Sequence, residues 1–353
     1  MRSVSAFLRV LAVTLSVMVA AAAVGAPPPI TNLAQKVDLT PQDRQSIREY
    51  SAHYGGIIQN GHSQPESVLE ARQKLLEPLR VPRVRETFLD AYSRELSDVL
   101  EPAINGTSPH AASNALIILS QLGTESSLEK LTSRCSMRDE PRWTIRLRAA
   151  GGCGDLLQSR QLMVNPRAIT GAARRLRDAA LQEPHPLVLR RQLEGIFAGD
   201  RPSLDPGTRR QLFEYVSAAM KAAAERAADP QLDAQSAVEI MDAVHSVLAR
   251  IKIALTSIVD PSLQRPLVRE LVDPTLQLLH VPLAHWAPLH EDEALEAEVR
   301  QMVEQGERML ETIALFSGTR APNGINLQQS WSTGNREQYE QELQTWKQQL
   351  SGG

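Results

Sequence analysis

Apolar residues recur at helical spacing through most of the chain, and strand signals are nearly missing. In two segments, 233–257 and 291–316, the apolar positions fall mostly three or four residues apart. Residues at this spacing share one face of a helix, so both patterns predict amphipathic helices. The positions are Met241, Val244, Leu248, Ile251 and Leu255 in the first segment, and Leu295, Val299, Met302, Met309, Ile313 and Phe316 in the second.

Proline and short polar residues indicate where the helices begin. Thr40 and Ser108 are capping residues that directly precede a proline, and Thr124 is a capping residue that precedes a short helical pattern. Such residues accept hydrogen bonds from the first turn, and proline fits the first helical position. The sequence therefore predicts an all-α protein, with a helix from Ser108 to Gly123, a short helix after Thr124, and further helices near 41–59, 65–79, 82–100, 141–159, 166–182, 186–198, 206–228, 233–257, 261–279, 291–316 and 336–350.

The middle of the chain is internally repetitive. The blocks "SNALIILSQLG" (113–123), "RLRAAGGCGDLL" (146–157) and "VLRRQLEGIFAG" (188–199) each place small and apolar residues on one helix face, and another helix separates each block from the next. Over about residues 105–200 this pattern resembles the HEAT-like helical repeat, a stack of antiparallel helix pairs. The family's usual Asp-x-x-x-x-Val-Arg element is absent, and "EPRWTIRLRAA" is its nearest approach. The resemblance implies an α-solenoid-like section that binds proteins and brings no catalytic residues.

Helix length divides the chain further. After residue 205 the predicted helices lengthen to 20–26 residues, which favours an antiparallel helical bundle, and "GDRPSLDPG" provides a linker before it. We expect a signal peptide over 1–26, a HEAT-like region over 27–204, a bundle over 205–320, and a loop with a short amphipathic helix over 321–353. In that last helix Tyr339, Leu343, Trp346 and Leu350 form one stripe, which docks on the protein's own core or on a partner.

The N-terminus has the pattern of a secretory signal. Arg2 and Arg9 precede an uncharged apolar run over 10–24, and small residues and prolines follow. This pattern predicts export to the periplasm or another extracytoplasmic space, with cleavage between Ala23 and Ala26 and a soluble mature protein. The alternative is an uncleaved anchor, the one route by which the chain would contact a membrane.

The net charge and the distribution of charged residues indicate which classes of partner the chain can bind. The formal net charge of −3 argues against nucleic acid as a general partner. Residues 138–191 nevertheless hold 11 Arg, no Lys and 5 acids, whereas 291–317 hold 8 acids and 2 Arg. Guanidinium groups suit bidentate contact with carboxylates, so the first segment predicts a face for an acidic partner. Its candidate residues are Arg174, Arg175, Arg177, Arg190 and Arg191; the alternative is a solvated or internally paired surface.

The stretch "LHVPLAHWAPLHEDE" (279–293) holds three histidines and three acids. Histidine and carboxylate are metal ligands, and His285, His290 and Glu291 are the candidate set. Against this reading, residues five apart do not share a helix face, and Pro282 and Pro288 predict a break in any helix here. We therefore interpret the stretch as a connector between two helices and expect no cofactor.

Two cysteines complete the candidate chemistry. In an exported protein Cys135 and Cys153 either form a disulfide or remain two small buried thiols. The sequence lacks nucleophile and phosphate-binding motifs. The preferred function is a non-catalytic scaffold that binds a protein or peptide. The alternative is an all-α hydrolase or lyase, metal-assisted through His285, His290 and Glu291.

Overall fold

The structure, a computed structural model, describes residues 26–60, 64–159, 163–258 and 260–351. Within these ranges the chain forms fifteen α-helices and two short 3-10 helices, and no strand. The prediction of an all-α protein is confirmed. The predicted signal peptide lies outside the described ranges, apart from its last residue. None of the described helices is both long enough and apolar enough to cross a bilayer.

The chain divides into two compact units, residues 1–100 and 101–353. The first contains 3-10 turns at Thr31–Gln35 and Glu77–Arg80, and its α-helices are α1 Pro41–Asn60, α2 Pro65–Leu76 and the larger part of α3 Glu86–Asn105. Thr40 caps α1 reciprocally with Asp43: Asp43 N donates to Thr40 Oγ1 over 3.2 Å, and Thr40 N donates back to the carboxylate over 3.0 Å. These bonds satisfy amides that the first helical turn leaves unpaired.

The core of the first unit is built on α1 and α2, which pack on each other. Two tyrosines fix the end of α2, because Tyr50 Oη and Tyr92 Oη donate to the carbonyls of Lys74 and Leu75, each over 2.7 Å. Both rings are buried, so each hydroxyl has the partner that burial requires.

The second unit carries the remaining helices. They are α4 Pro109–Ser120, α5 Glu125–Thr132, α6 Trp143–Leu157, α7 Pro166–Ala180, α8 Pro186–Ala198, α9 Pro206–Ala227, α10 Ala234–Thr256, α11 Pro261–Ala284, α12 Trp286–Glu291, α13 Glu293–Ser317, α14 Leu327–Ser332 and α15 Arg336–Ser351. Thr124 caps α5 as predicted, its hydroxyl accepting from Ser127 N over 3.4 Å. The four helices α9, α10, α11 and α13 are 22 to 25 residues long, in line with the sequence.

Packing in this unit follows two rows. In one row α4 packs on α6, α6 on α8, α8 on α10, and α10 on α13; in the other α5 packs on α7, α7 on α9, α9 on α11, and α11 on α15. Consecutive helices pack across the rows, for example α7 on α8 and α9 on α10. The contact of α8 with α10 crosses residue 204, and the division there into a repeat section and a bundle stays a prediction.

Two arginines at the start of α6, the buried Arg146 and the half-buried Arg142, bond to neighbouring segments of the chain. Arg146 makes two bonds to Glu183, of 2.8 and 2.7 Å, and both side chains are buried. Arg142 donates to the carbonyls of Gly106 and Ile104 over 2.7 and 3.0 Å. Part of the arginine excess in 138–191 is therefore structural.

The C-terminal helix α15 packs on α11 of its own chain. Tyr339, Leu343 and Trp346 are buried, and Tyr339 Oη donates to Leu279 O over 2.7 Å. The sequence predicts that these apolar side chains pack either on the protein's own core or on a partner. In the structure they pack on the protein's own core. The preceding segment differs from the expected loop, because Leu327–Ser332 forms a helix whose first amides donate to Glu307 on α13.

The predicted connector at 279–293 is wrong. Helix α11 continues through Pro282 to Ala284, and α12 forms from Trp286 to Glu291 with Pro288 as its third residue. The first amides of a helix have no partner inside it, so Pro288 costs α12 no hydrogen bond. Pro282 removes one bond near the end of α11, where it is buried among apolar residues that hold the last turn in place.

Candidate functional site

A groove of about 570 Å³ opens on the row formed by α4, α6 and α8. Helix α6 contributes one face, with Thr144, Arg148, Gly151 and Asp155 at successive turns, and Trp143 lies next to Thr144 at its first residue. Helix α8 contributes its first turns. Because residues three and four apart share a helix face, the sequence places these side chains along one line. The α8 residues in the groove are Leu187, Arg190 and Arg191.

Helices α6 and α8 run side by side in the same direction. At one end the Trp143 ring stacks on the ring of His185, the residue at the N-cap position of α8, with centroids 4.1 Å apart. Towards the other end the two backbones approach at Gly154 and Gly195, where an added Cβ on Gly154 would lie 3.9 Å from Gly195 Cα. The groove therefore has an N-terminal end at Trp143 and a C-terminal end near Asp155, which also lines it.

Exposed apolar surface marks the N-terminal end of the groove. Trp143 is 42% exposed and Leu187 is 52% exposed. The other three tryptophans of the chain are buried or half-buried. An exposed tryptophan beside an exposed leucine is the kind of apolar anchor point that protein interfaces use.

Arginines occupy the middle of the groove. Arg190 faces Glu194 and Asp242 over 3.4 and 3.3 Å, and Arg191 faces Glu194 over 2.7 Å. Arg148 is exposed and has no ion-pair partner among the residues that the structure describes. The groove thus presents one guanidinium without an ion pair in the described ranges and two that share Glu194.

The surface beyond α8 is acidic. Asp242 on α10 lies at this border, and burial together with the charges of Asp242 and Glu239 raises the pKa of Glu298 on α13. The positive character of the groove is therefore confined to its α6 and α8 side.

The five arginines of the predicted acidic-partner face lie on two helices in different rows. Arg190 and Arg191 line the groove on α8, whereas Arg174, Arg175 and Arg177 lie on α7. Arg175 faces Glu129 over 3.7 Å, and Arg177 pairs with Asp178 and lies over the Tyr215 ring at 4.9 Å. Arg174 is exposed outside the groove.

The structure does not gather His285, His290 and Glu291 into a ligand set. His285 is buried with Nε2 2.7 Å from Ala227 O, and His290 has Nδ1 and Nε2 each 3.0 Å from a carbonyl, of Trp286 and Trp331. Glu291 is exposed at the end of α12. Across the described ranges, no group of three or more His, Cys, Asp or Glu side chains is placed to hold a metal ion. Backbone carbonyls face both ring nitrogens of His290 and Nε2 of His285.

The two cysteines lie next to each other in the core. Both are free and fully buried, with their Sγ atoms 4.0 Å apart. Burial raises the pKa of the Cys153 thiol well above its usual range, which keeps it in the unreactive thiol form.

Sequence reasoning missed Trp143, Arg148 and Leu187. A signal was present at Trp143, because the chain has only four tryptophans and this one begins a helix with polar neighbours. Leu187 had no such signal, since it is 44 positions from Trp143 in the sequence and the two line one groove only because α6 packs on α8.

The comparisons with known proteins give no family. No family model matches the chain, and no curated protein matches it. Among solved structures, a match covers 88% of this chain and 97% of a chain described as a computationally designed self-assembling cyclic protein homooligomer, at 9% identity. Its TM-score of 0.27 is too low to carry an argument about fold or function.

Proposed function

We propose that this protein is a non-catalytic helical scaffold that binds a protein or peptide partner in the groove of α4, α6 and α8. The observation that carries the proposal is the combination of exposed Trp143 and Leu187 with Arg148, which has no ion-pair partner in the described structure. Exposed aromatic and arginine side chains in one depression are typical of interfaces. The HEAT-like resemblance supports the same mode of action, because stacked helix pairs present extended binding surfaces.

We propose that the partner is bound outside the cytoplasm, because the N-terminus has the pattern of a secretory signal. The predicted cleavage between Ala23 and Ala26 makes export testable. Mass spectrometry of the protein from a fractionated native host would find a mature N-terminus at residues 24–27 in the exported fraction. Intact Met1 in the cytosolic fraction would contradict export.

Groove binding is tested by filling the groove without disturbing the fold. A Cβ added at Gly151 meets only Arg191 Cδ, at 3.9 Å, so Gly151→Gln extends a side chain into the groove at ordinary contact distance. Gly171→Gln on α7 is the matched control, because a Cβ there meets nothing within 4 Å. Both substitutions place glutamine, which favours helix more than glycine does, inside a helix. Circular dichroism checks that both variants keep the native helix content.

The assay is capture of partners from cell-envelope extract by immobilised protein. We expect a specific partner to bind the native protein and Gly171→Gln equally, and to be lost with Gly151→Gln. Equal capture by all three proteins would overturn groove binding, as would capture of nothing above a matrix control.

A further inference from the structure

The chemistry of the groove changes along its length, and this gradient restricts what can occupy it. Apolar surface lies at the Trp143 and Leu187 end, guanidinium groups follow, and Asp155 lies at the far end. Asp155 is seven residues beyond Arg148 on α6, roughly 10 Å along the helix axis. An acidic ligand is therefore favoured over one part of the groove and repelled at the other.

From this gradient we propose that the groove binds an acidic peptide segment in which an apolar side chain is adjacent to a short run of carboxylates. The inference rests on the proposed function and names the chemistry of its partner. The apolar side chain lies between Trp143 and Leu187. The carboxylates meet Arg148 and Arg191.

Arg148 carries most of the argument, because its guanidinium makes no ion pair within the described residues and stands ready for an incoming carboxylate. Arg191 is exposed and shares Glu194 with Arg190, so Glu194 keeps a counter-charge when Arg191 turns to an incoming carboxylate. Arg190 is held between Glu194 and Asp242 and is the least available of the three. Two planar forks on neighbouring helices match two carboxylates of one peptide.

The floor of the groove allows a peptide backbone to approach. Gly151 lies between Arg148 and Asp155 on α6 and has no side chain to block the centre. Thr144 and Ser113 line the same groove and supply hydroxyl groups for the polar atoms of a bound backbone.

Nucleic acid fits the groove poorly. The basic region is confined to two helices, Asp155 bounds one end, and acidic surface continues beyond Asp242. Binding to a polyanionic backbone draws on a long basic surface, which this arrangement does not provide.

The probes are three fluorescent peptides in identical Gly-Ser flanks: one leucine followed by three glutamates, the same peptide with lysines for the glutamates, and the same with glycine for the leucine. Binding is read by fluorescence anisotropy at low and moderate salt. We expect the Leu-Glu peptide to bind at least roughly tenfold more tightly than the lysine peptide, and roughly fivefold more tightly than the glycine peptide. Its affinity falls as salt is added.

Arg148→Gln is the test variant and Arg174→Gln is its matched control. Both arginines are exposed helix residues without an ion pair in the described structure, and only Arg148 lines the groove. We expect Arg148→Gln to weaken the Leu-Glu peptide roughly fivefold or more, and Arg174→Gln to leave it unchanged. Bound peptide also shields Trp143 from acrylamide quenching, a signal that Trp143→Leu removes.

Three results would overturn the proposal: equal binding of the glutamate and lysine peptides, equal effects of the two arginine variants, or tighter Arg148-dependent binding of a single-stranded oligonucleotide. If partner capture depends on Gly151 but the protein does not bind the Leu-Glu peptide, this inference alone is overturned. A protein indifferent to both tests overturns the proposed function as well.

Discussion

At the scale of single residues, the arginines of this chain divide into those used inside the fold and those left on its surface. Arg146 and Glu183 form a buried pair, and Arg142 donates to carbonyls at the C-terminal end of α3. Arg148 is exposed in the groove and makes neither kind of contact among the described residues, which is why we propose it as a ligand-binding residue. Residue type alone does not separate the two groups, since both occur in the same short stretch of sequence.

Removing Glu183 is expected to destabilise the fold strongly. Glu183→Ala leaves the guanidinium of Arg146 buried without its counter-charge, which costs roughly 3–5 kcal/mol. Asp178→Ala, which removes the exposed partner of Arg177, is the control and costs about 1 kcal/mol or less. Urea denaturation followed by circular dichroism measures both, and equal midpoints for the two variants would contradict the assignment.

His245 on α10 makes stability dependent on pH. Burial lowers the pKa of its imidazole below the usual 6.5, an effect that outweighs the nearby charge of Asp242. As pH falls below about 6.5 the unfolded chain takes up this proton before the folded one, so His245 makes the folded state less stable.

The test compares the free energy of unfolding at pH 7.5 and pH 5.5 for the native protein and for His245→Gln. The loss on acidification should be smaller in His245→Gln, because the titrating group is gone while a polar side chain remains. An equal or larger loss in the variant would show that other groups dominate this range.

At the scale of helices, glycine sets how closely neighbours approach. A Cβ on Gly306 of α13 would lie 2.7 Å from Leu279 Cδ2 and 3.1 Å from Leu279 Cγ on α11. Leu279 is buried, so it has little room to move. Gly171 on α7, in contrast, has open space around it.

The same substitution is therefore expected to have opposite effects at these two glycines. Gly306→Ala overpacks the contact of α11 with α13 and costs roughly 1–3 kcal/mol. Gly171→Ala adds helix propensity without a clash and stabilises by about 0.5–1 kcal/mol. Thermal denaturation of the two variants checks the signs; a shift in the same direction would contradict this account of the packing.

Most helices could be predicted because their start signals are local. Seven of the fifteen α-helices in the described ranges begin with proline as the first residue, and in α4 and α7 the preceding Ser108 and Asn165 accept a capping bond. Pro282 and Pro288 misled the prediction, since the effect of proline depends on its distance from the helix end. Packing around Pro282 decides where the helix ends, and the adjacent residues in the sequence do not show this.

At the scale of the whole chain, the second unit ends with a helix that its own core needs. Tyr339 and Trp346 on α15 are fully buried, and α15 packs on α11. Deleting residues 336–353 is expected to cost on the order of 5 kcal/mol, because it exposes the apolar surface that these side chains cover.

The control deletes only 351–353, beyond the last buried side chain of α15. Differential scanning calorimetry should show a clearly lower melting temperature for the longer deletion and an unchanged one for the shorter. Equal melting temperatures would mean that α15 is not part of the core.

The groove illustrates what a single sequence cannot give at this scale. Charge counting selected the segment 138–191 and reached two of the groove arginines, Arg190 and Arg191. It also selected three on α7 that pack elsewhere, because the row to which a helix belongs is decided by tertiary packing. A list of charges along the chain carries no information about that choice.

The two rows also have a consequence for how the protein is made. In the second unit nearly every helix packs on partners within three positions in chain order, so almost all the tertiary structure is local. Chains with such local contacts fold quickly and nucleate at several places. Each new helix can settle on those already formed as the polypeptide emerges, and the order of synthesis is then also an order of assembly.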